Sequence, residues 1–278
     1  MSSRSGLLWA LYLVLTVYAV FALFPFFWML LSSFKQQADL FRLPPEFKPS
    51  QLFTDEPFKN YVDVWTKRDF FVYFRNSFFI SFMAAMGQVM TCALAGYAFA
   101  KMTLPGKNTL FAIVLATAFV PTEVTVIPEY LLMRHLGWID TWLPLIVPSF
   151  LVGAFGTFML REYFGSLPDT YAEAARLDGA NPFQIFWYVY LPLARPALIS
   201  VFVIAFINNW DELLRPLLFL NTQSLFTVPL GLMTFFTQYE ASWHQLMAAS
   251  VISILPLALI YMIAQRYVLQ GFVGGGTK

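Results

Sequence analysis

The side chains that could do chemistry in this sequence are a few polar residues set inside long apolar runs. Glu123 lies between Pro121 and Pro128 in one such run, and residues 208–212 form a polar cluster at the end of another. A carboxylate at membrane depth is costly unless it faces protein or water, so Glu123 is by default a functional-site candidate. The alternative is that Glu123 is merely solvated at the outer mouth of a span. Glu129, further along the chain, is expected at the interface.

The sequence contains no residue set typical of an enzyme. It has no G-x-x-x-x-G-K-[ST] loop for a nucleotide and no H-E-x-x-H motif for zinc. Its two histidines, His135 and His244, fall in loops between the apolar runs, and no Ser/His/Asp set can be placed at a common depth. We therefore expect no catalytic residues, no metal and no cofactor in this chain.

The segment 171–182 is a polar island of small residues, Tyr-Ala-Glu-Ala-Ala-Arg-Leu-Asp-Gly-Ala-Asn-Pro. Thr170 and Glu173 have the spacing of a capping box, in which each side chain accepts a hydrogen bond from a free backbone N–H. Gly179 stands where a left-handed helix end is needed, and Asn181-Pro182 suits the start of a second helix. The alanines favour helix and have little bulk, so another protein can approach closely. The alternative is an ordinary capped helix between two spans.

The elements that must position these residues are membrane spans, as the composition shows. The chain is 59% hydrophobic and 12% charged, against about 25% charged residues in soluble domains. The net charge of +1 argues against a nucleic-acid partner. The single cysteine, Cys92, cannot form an internal disulfide and lies in an apolar run. These features predict an all-α integral membrane protein in contact with lipid.

Six apolar stretches are long enough to cross a bilayer, which takes about 20 residues each. The first is too long for the apolar region of a signal peptide and is expected to remain as a span. Prolines are expected to kink or interrupt the first and fifth spans. The six predicted spans are 7–31, 76–100, 109–132, 143–160, 183–209 and 246–263.

The connections between the spans differ in character. The segment 32–74 is rich in proline and mixes both charges, so it predicts a loop outside the cell. Its second half, 58–74, is expected to be either a helix lying at the membrane interface or a plain ordered loop. Gly87, Thr91 and Ala95 recur every four residues, which predicts a face for close helix packing in lipid.

The motifs resemble those of bacterial ABC importer permeases. Glu173-Ala174-Ala175, three residues, Gly179, and then Val189 to Pro192 after a further interval match the "EAA" loop of that family. Gly96 to Lys101 and Leu167-Pro168-Asp169 are similar to its carbohydrate-uptake branch, which includes the smaller maltose-importer permease and a glycerol-3-phosphate importer permease. One departure is Asn209-Trp210-Asp211-Glu212, where the family usually has Trp-Asn-Glu.

The resemblance implies a six-span, type I (MetI-like) permease bundle forming one domain over 1–278. Residues 1–71 would be the first span and outer loop, 72–268 the core bundle, and 269–278 a cytoplasmic tail. The loop 161–181 would face the cytoplasm, with both termini, in a bacterial or archaeal plasma membrane. Partners would be a second homologous permease, a dimeric ATPase that binds ATP and Mg, and an external solute-binding protein.

The resemblance also implies roles for individual residues. Six residues would contact the ATPase: Glu173, Ala174, Ala175, Leu177, Asp178 and Gly179. Four would line a path for a polyhydroxylated solute: Glu123, Asn208, Asn209 and Trp210. The few cations within the predicted spans favour a neutral sugar over a phosphorylated solute.

Two alternatives remain at this point. One is an importer permease for a glycerol-phosphate solute. The other belongs to a different class: a secondary carrier that works alone would also fit six spans and an intramembrane Glu123. An importer permease travels with an ATPase and a binding protein, so the proteins that accompany this chain discriminate between the classes.

Overall fold

The computed structural model describes the backbone of residues 2–236 and 242–273 and the side chains of residues 8–236 and 242–267. The fold is all-helical, as predicted. The α-helices in the first half are α1 Ser2–Ser33, α2 Gln37–Leu40, α3 Lys59–Lys67, α4 Phe70–Lys101, α5 Lys107–Ala116 and α6 Thr122–His135. Those in the second half are α7 Leu143–Ile146, α8 Ala154–Ser166, α9 Thr170–Leu177, α10 Pro182–Gln184, α11 Leu191–Leu193, α12 Arg195–Trp210, α13 Leu214–Phe219, α14 Val228–Met233 and α15 Trp243–Val273.

Four stretches in the described residues are apolar enough to cross a membrane, and two bent helix pairs pass the same test. The four are Leu8–Ser33, Phe70–Lys101, Leu143–Ser166 and Trp243–Tyr267. Counting each bent pair as one span makes six, the predicted number. Some helices extend beyond the predicted spans: α4 begins at Phe70, and α15 continues to Val273, into the residues predicted as the tail. Residues 274–278 of that tail lie outside the described residues.

Both bent pairs contain prolines at or beside the bend. The predicted third span is two segments, Lys107–Phe119 and Thr122–His135, at 98° to each other. Proline disfavours helical geometry in the residue before it, and Val120 before Pro121 is extended, with ψ 113°. The fifth span bends by 77° between Leu193 and Arg195, which confirms its predicted interruption. Proline lacks an N–H, so prolines on both sides of this break weaken the helical ladder there.

The chain divides into two compact units, Met1–Phe71 with Leu232–Leu255 and Val72–Gly231 with Pro256–Lys278. In the first unit, the buried Asn60 at the start of α3 donates to the carbonyls of Ser33 and Lys35 at 2.8 and 2.9 Å. The Ser33 hydroxyl also meets that of Tyr61 at 2.6 Å. Within the segment 58–74, Lys59–Lys67 forms α3 and residues from Phe70 onward belong to α4; these bonds hold the start of α3 to the end of α1.

The second unit contains an apolar core beneath α9. Aromatic rings converge there from three elements: Tyr97 of α4 lies 5.9 Å from Phe164 of α8 and 5.3 Å from Tyr190. Tyr190 ends a π-helical turn, Ile185–Tyr190. Ala172 of α9 is 5% exposed and belongs to this cluster, so α9 packs against the bundle through a small side chain.

A second apolar cluster in this unit holds α6 beside α13. Its buried members include Met133 of α6 and Phe219 of α13, and the Phe219 ring stacks on Tyr130 at 6.2 Å. The loop after α6 is fastened to the loop after α13 by Asp140, whose carboxylate accepts from the backbone N–H groups of Asn221 and Thr222 at 2.9 and 2.8 Å. Asp140 has φ +60°, a left-handed conformation that Asp tolerates better than most residues.

We expect Asp140→Ala to lower the unfolding temperature of the detergent-purified protein. Hydrogen bonds from the Thr222 hydroxyl, the Thr222 N–H and the Asn221 N–H lower the pKa of the Asp140 carboxyl. A lowered folded-state pKa stabilises the fold above the unfolded pKa, about 3.9, and this contribution is lost as pH falls through the folded value. The wild type should therefore lose stability more steeply than Asp140→Ala below about pH 4. Asp55→Ala, at an exposed loop carboxylate, is the control, and equal pH profiles for the two variants would contradict this assignment.

Candidate functional sites

A polar cleft of about 280 Å³ opens in the second unit. It lies where span four is broken and where α12 ends. Its lining is Gln88, Pro148, Ser149, Leu151, Val152, Gly153, Asn208, Asn209, Glu212 and Arg215.

The break in span four follows from packing against α4. A 3₁₀ turn at Val147–Phe150 leads into extended backbone before α8 starts at Ala154. The Leu151 carbonyl freed there accepts from the Thr91 hydroxyl at 3.3 Å. A Cβ at Gly87 would lie 2.4 Å from the Phe150 ring, so only glycine allows this approach. Non-helical backbone survives at membrane depth where it is bonded to protein or lines a cavity, and this break does both.

The cleft collects two of the four residues predicted for the solute path. Asn208 and Asn209 line it. Trp210 does not, because it is 1% exposed and packs against Phe206 and Phe74 with ring centroids 5.7 and 5.4 Å away. Glu123 lies exposed in the first turn of α6 and does not line this cleft. It also does not line a smaller cleft that shares Asn209, Glu212 and Arg215 with the first one. A stacking role for Trp210 therefore does not fit this arrangement.

An ion pair between Arg215 and Glu129 is the feature that sequence reasoning missed. The Arg215 guanidinium lies 3.2 Å from the Glu129 carboxylate, and their side chains are 29% and 13% exposed. Within the described part of the chain, Arg215 Nε and Glu129 Oε1 are buried without a hydrogen-bond partner. Glu129 had been expected at the interface. The available signal was a cation within an otherwise apolar run just after the polar cluster at 208–212.

The second candidate site is the α9 segment, defined as residues 170–182. Its predicted capping box was wrong: α9 starts at Thr170 itself, the N-cap position falls on Asp169, and no side chain caps it. The capping box belongs to the next helix. There the Asn181 side chain accepts from the Gln184 N–H, and the Gln184 side chain accepts from the Asn181 N–H, both at 2.9 Å.

The end of α9 at Gly179 is as predicted. Gly179 has φ +85°, the left-handed conformation that other residues rarely adopt. Its N–H donates to the Arg176 carbonyl at 3.0 Å, and the next N–H, of Ala180, donates to the Ala175 carbonyl at 2.9 Å. This pair of bonds is the Schellman arrangement, which satisfies carbonyls that the helix leaves free.

The α9 segment presents most of its predicted contact residues outward. Leu177, the last residue of α9, is 90% exposed, whereas Ala172 in the same helix is buried in the core. Glu173, Ala174, Asp178 and Gly179 are also exposed, whereas Ala175 is half-buried against the core. Exposed aromatic rings follow directly in the chain: Phe183, Trp187 and Tyr188. The segment therefore presents an exposed leucine and exposed carboxylates, and exposed aromatic rings follow it in the chain.

Lys101, the last residue of α4, fastens the start of α9. Its ammonium group donates to the Leu167 carbonyl at 2.7 Å and to the Asp169 carboxylate at 2.6 Å, and its side chain is 10% exposed. The hydrogen bond and charge of Lys101 lower the pKa of the Asp169 carboxyl. Beside this contact is a cleft of about 340 Å³ lined in part by Glu173 and Arg176.

Comparison with known proteins agrees with this architecture. Residues 77–273 match the family model described as "Binding-protein-dependent transport system inner membrane component". An arabinooligosaccharides transport system permease protein of Halalkalibacterium halodurans is 32% identical over 97% of this chain and 96% of its own length. An sn-glycerol-3-phosphate transport system permease protein of Yersinia enterocolitica is 28% identical over 98% of each chain.

A solved structure extends the comparison to the fold. The crystal structure of a bacterial ABC transporter involved in the import of the acidic polysaccharide alginate contains a chain that superposes with a TM-score of 0.82 and 25% identity. The match covers 95% of this chain and 98% of that one. With its apolar spans, this chain is therefore a multi-pass membrane protein with the fold of an ABC importer permease. The matched motifs, the superposition and the extent of the family model together show that the chain belongs to the binding-protein-dependent transport system inner membrane components.

Proposed function

We propose that the α9 segment is the coupling helix through which an ATPase subunit drives transport. The observation that carries the proposal is Leu177, which is 90% exposed at the tip of a helix whose other side is packed into the bundle. ATP and Mg would bind in the partner ATPase dimer, so this chain would have no catalytic residues. ATP-driven closure of that dimer would move α9, and with it the core of the second unit.

Each predicted contact residue of the segment would have a definite role. Leu177 would fill an apolar pocket of the ATPase, and Glu173 would meet a basic residue there. Ala174 would allow close approach because it is small and exposed, and Ala175 would hold α9 against the bundle. Asp178 and Gly179 would shape the end that seats in the groove.

The wider assembly follows from the same proposal. A second homologous permease would complete the translocation path, and an external binding protein would deliver a sugar or related polyol. The whole of 1–278 would act as one permease domain in a bacterial or archaeal plasma membrane. The α9 segment and both termini, including the tail at 269–278, would lie in the cytoplasm, since an even number of spans places both termini on one side.

We expect Leu177→Glu to lose the ATPase partner while keeping the second permease. A carboxylate cannot fill an apolar pocket without losing its hydration, yet at an exposed site it leaves the fold intact. The measurement is quantitative mass spectrometry of what co-purifies with the tagged chain in mild detergent. The ATPase should fall by roughly tenfold or more, as expected from loss of a central apolar anchor.

Leu104→Glu is the matched control. Leu104 is 39% exposed in the turn after α4, which ends beside the start of α9, and the variant should retain the ATPase. Equal ATPase recovery with Leu177→Glu and wild type would remove α9 as the docking helix. Recovery of the wild-type chain alone, in several detergents, would instead favour a secondary carrier.

A further inference from the structure

The charges around the polar cleft leave it net negative. Arg215 is neutralised by Glu129 at 3.2 Å. Glu212 also lines the cleft, and no ion pair involves it within the described residues. Its Oε1 accepts from the backbone N–H groups of Leu214 and Arg215 at 2.9 and 3.3 Å, which fixes its position without cancelling its charge.

The amide side chains of the cleft are uncharged, and each has hydrogen-bonding capacity left for a ligand. In the described part of the chain, the side-chain amides of Gln88 and Asn208 have no hydrogen-bond partner, although both line the cleft. Asn209 uses its NH₂ group to donate to the Ala205 carbonyl at 2.8 Å, which leaves its oxygen as an acceptor. An amide can both donate and accept, so this set can bond hydroxyl groups in either orientation.

We propose that this cleft contacts a neutral polyhydroxylated solute and excludes anionic ones, with Glu212 and the Glu129–Arg215 pair as the specificity-determining groups. The proposal rests on the proposed function and deepens it, since related permeases are named for neutral and for phosphorylated solutes alike. A neutral polyol binds the amides and leaves the ion pair intact. An anion meets the Glu212 charge, and the Arg215 charge that would attract it is already paired with Glu129.

The test labels a cysteine placed in the cleft. Asn208→Cys is introduced into the full-length chain, purified with its partner subunits in detergent, and treated with cationic and anionic methanethiosulfonate reagents of similar size. The only native cysteine, Cys92, is buried, so the unmodified protein measures background labelling. A net negative cleft should favour the cationic reagent on the order of tenfold, because local potentials reach several kT.

Glu212→Gln in the Asn208→Cys background is the matched control, because it removes the charge and keeps the shape. It should abolish most of the preference for the cationic reagent. Equal labelling rates with both reagents, or a preference unchanged by Glu212→Gln, would overturn the exclusion of anions.

Protection by a sugar tests the solute contact directly. Millimolar glucose should slow the labelling of Asn208→Cys, whereas glucose 6-phosphate at the same concentration should not. Protection by the phosphorylated sugar alone, or protection by neither, would overturn the proposal. These results are independent of ATPase recovery in the Leu177→Glu experiment, so failure here is distinguishable from failure of the coupling proposal.

Discussion

Gly179→Asp is expected to abolish uptake while leaving the protein in the membrane at its normal abundance. A Cβ at Gly179 meets nothing within 4 Å, so the aspartate side chain has room. The backbone at φ +85° costs a substituted residue about 1 kcal/mol, and Asp tolerates this conformation better than most. The new carboxylate would stand beside Asp178 at the negative end of the α9 dipole, where added negative charge is unfavourable. The bundle should therefore stay folded, whereas α9 should no longer seat correctly on its partner.

Gly106→Asp is the control that separates docking from backbone strain. Gly106 has φ +71° and equally open surroundings in the turn between α4 and α5. Uptake by cells and solute-stimulated ATP hydrolysis by the purified complex should be near normal for Gly106→Asp. For Gly179→Asp we expect ATP hydrolysis without uptake. Normal uptake by Gly179→Asp would remove the α9 segment from the coupling route.

Sequence reasoning succeeded where the signal is local. The glycine at the end of α9 and the interruption of the fifth span both depend on residues that are neighbours in the chain. The prediction of the third span was only partly correct. Val120, which precedes Pro121, is extended, and the helical segments on either side meet at 98°. A run of apolar residues does not indicate such a bend. Composition alone predicts that the stretch is apolar, not that it is straight.

Two contacts at these sites join residues that are distant in the chain. Lys101 pairs with Asp169 at the start of α9, and Arg215 pairs with Glu129; neither pairing is visible in the linear sequence. The misplacement of Trp210 was avoidable. Each residue of a helix is rotated by about 100° from the one before it, so the side chains of Asn208 and Trp210 point to nearly opposite sides of α12. They therefore cannot both face one cleft. Asn209, between them, retains access to it.

The second large effect is expected from Lys101→Met. Methionine keeps the length of the side chain and its packing but leaves the Leu167 carbonyl without its bond at 2.7 Å. An unsatisfied polar group of this kind costs about 2 kcal/mol, which corresponds to a change of about thirtyfold in the equilibrium between α9 held against the bundle and α9 released. Uptake should fall by a similar factor, with the protein still folded, because movement of α9 is no longer transmitted to α4.

Two further variants identify which bond matters. Lys107→Met removes a lysine whose described bond is to the Met102 carbonyl in the same turn, and it should leave uptake near wild type.

Asp169→Asn tests the ion pair: Asp169 is 73% exposed, and exposed pairs contribute little, so uptake should change less than twofold. Because Lys101 lowers the pKa of the Asp169 carboxyl, this group stays ionised and paired with Lys101 above about pH 4. The ion pair is therefore constant at neutral pH and is lost only in more acidic solution. A loss with Asp169→Asn equal to that with Lys101→Met would place the tether in the ion pair, whereas normal uptake by Lys101→Met would show that α9 and α4 move together without it.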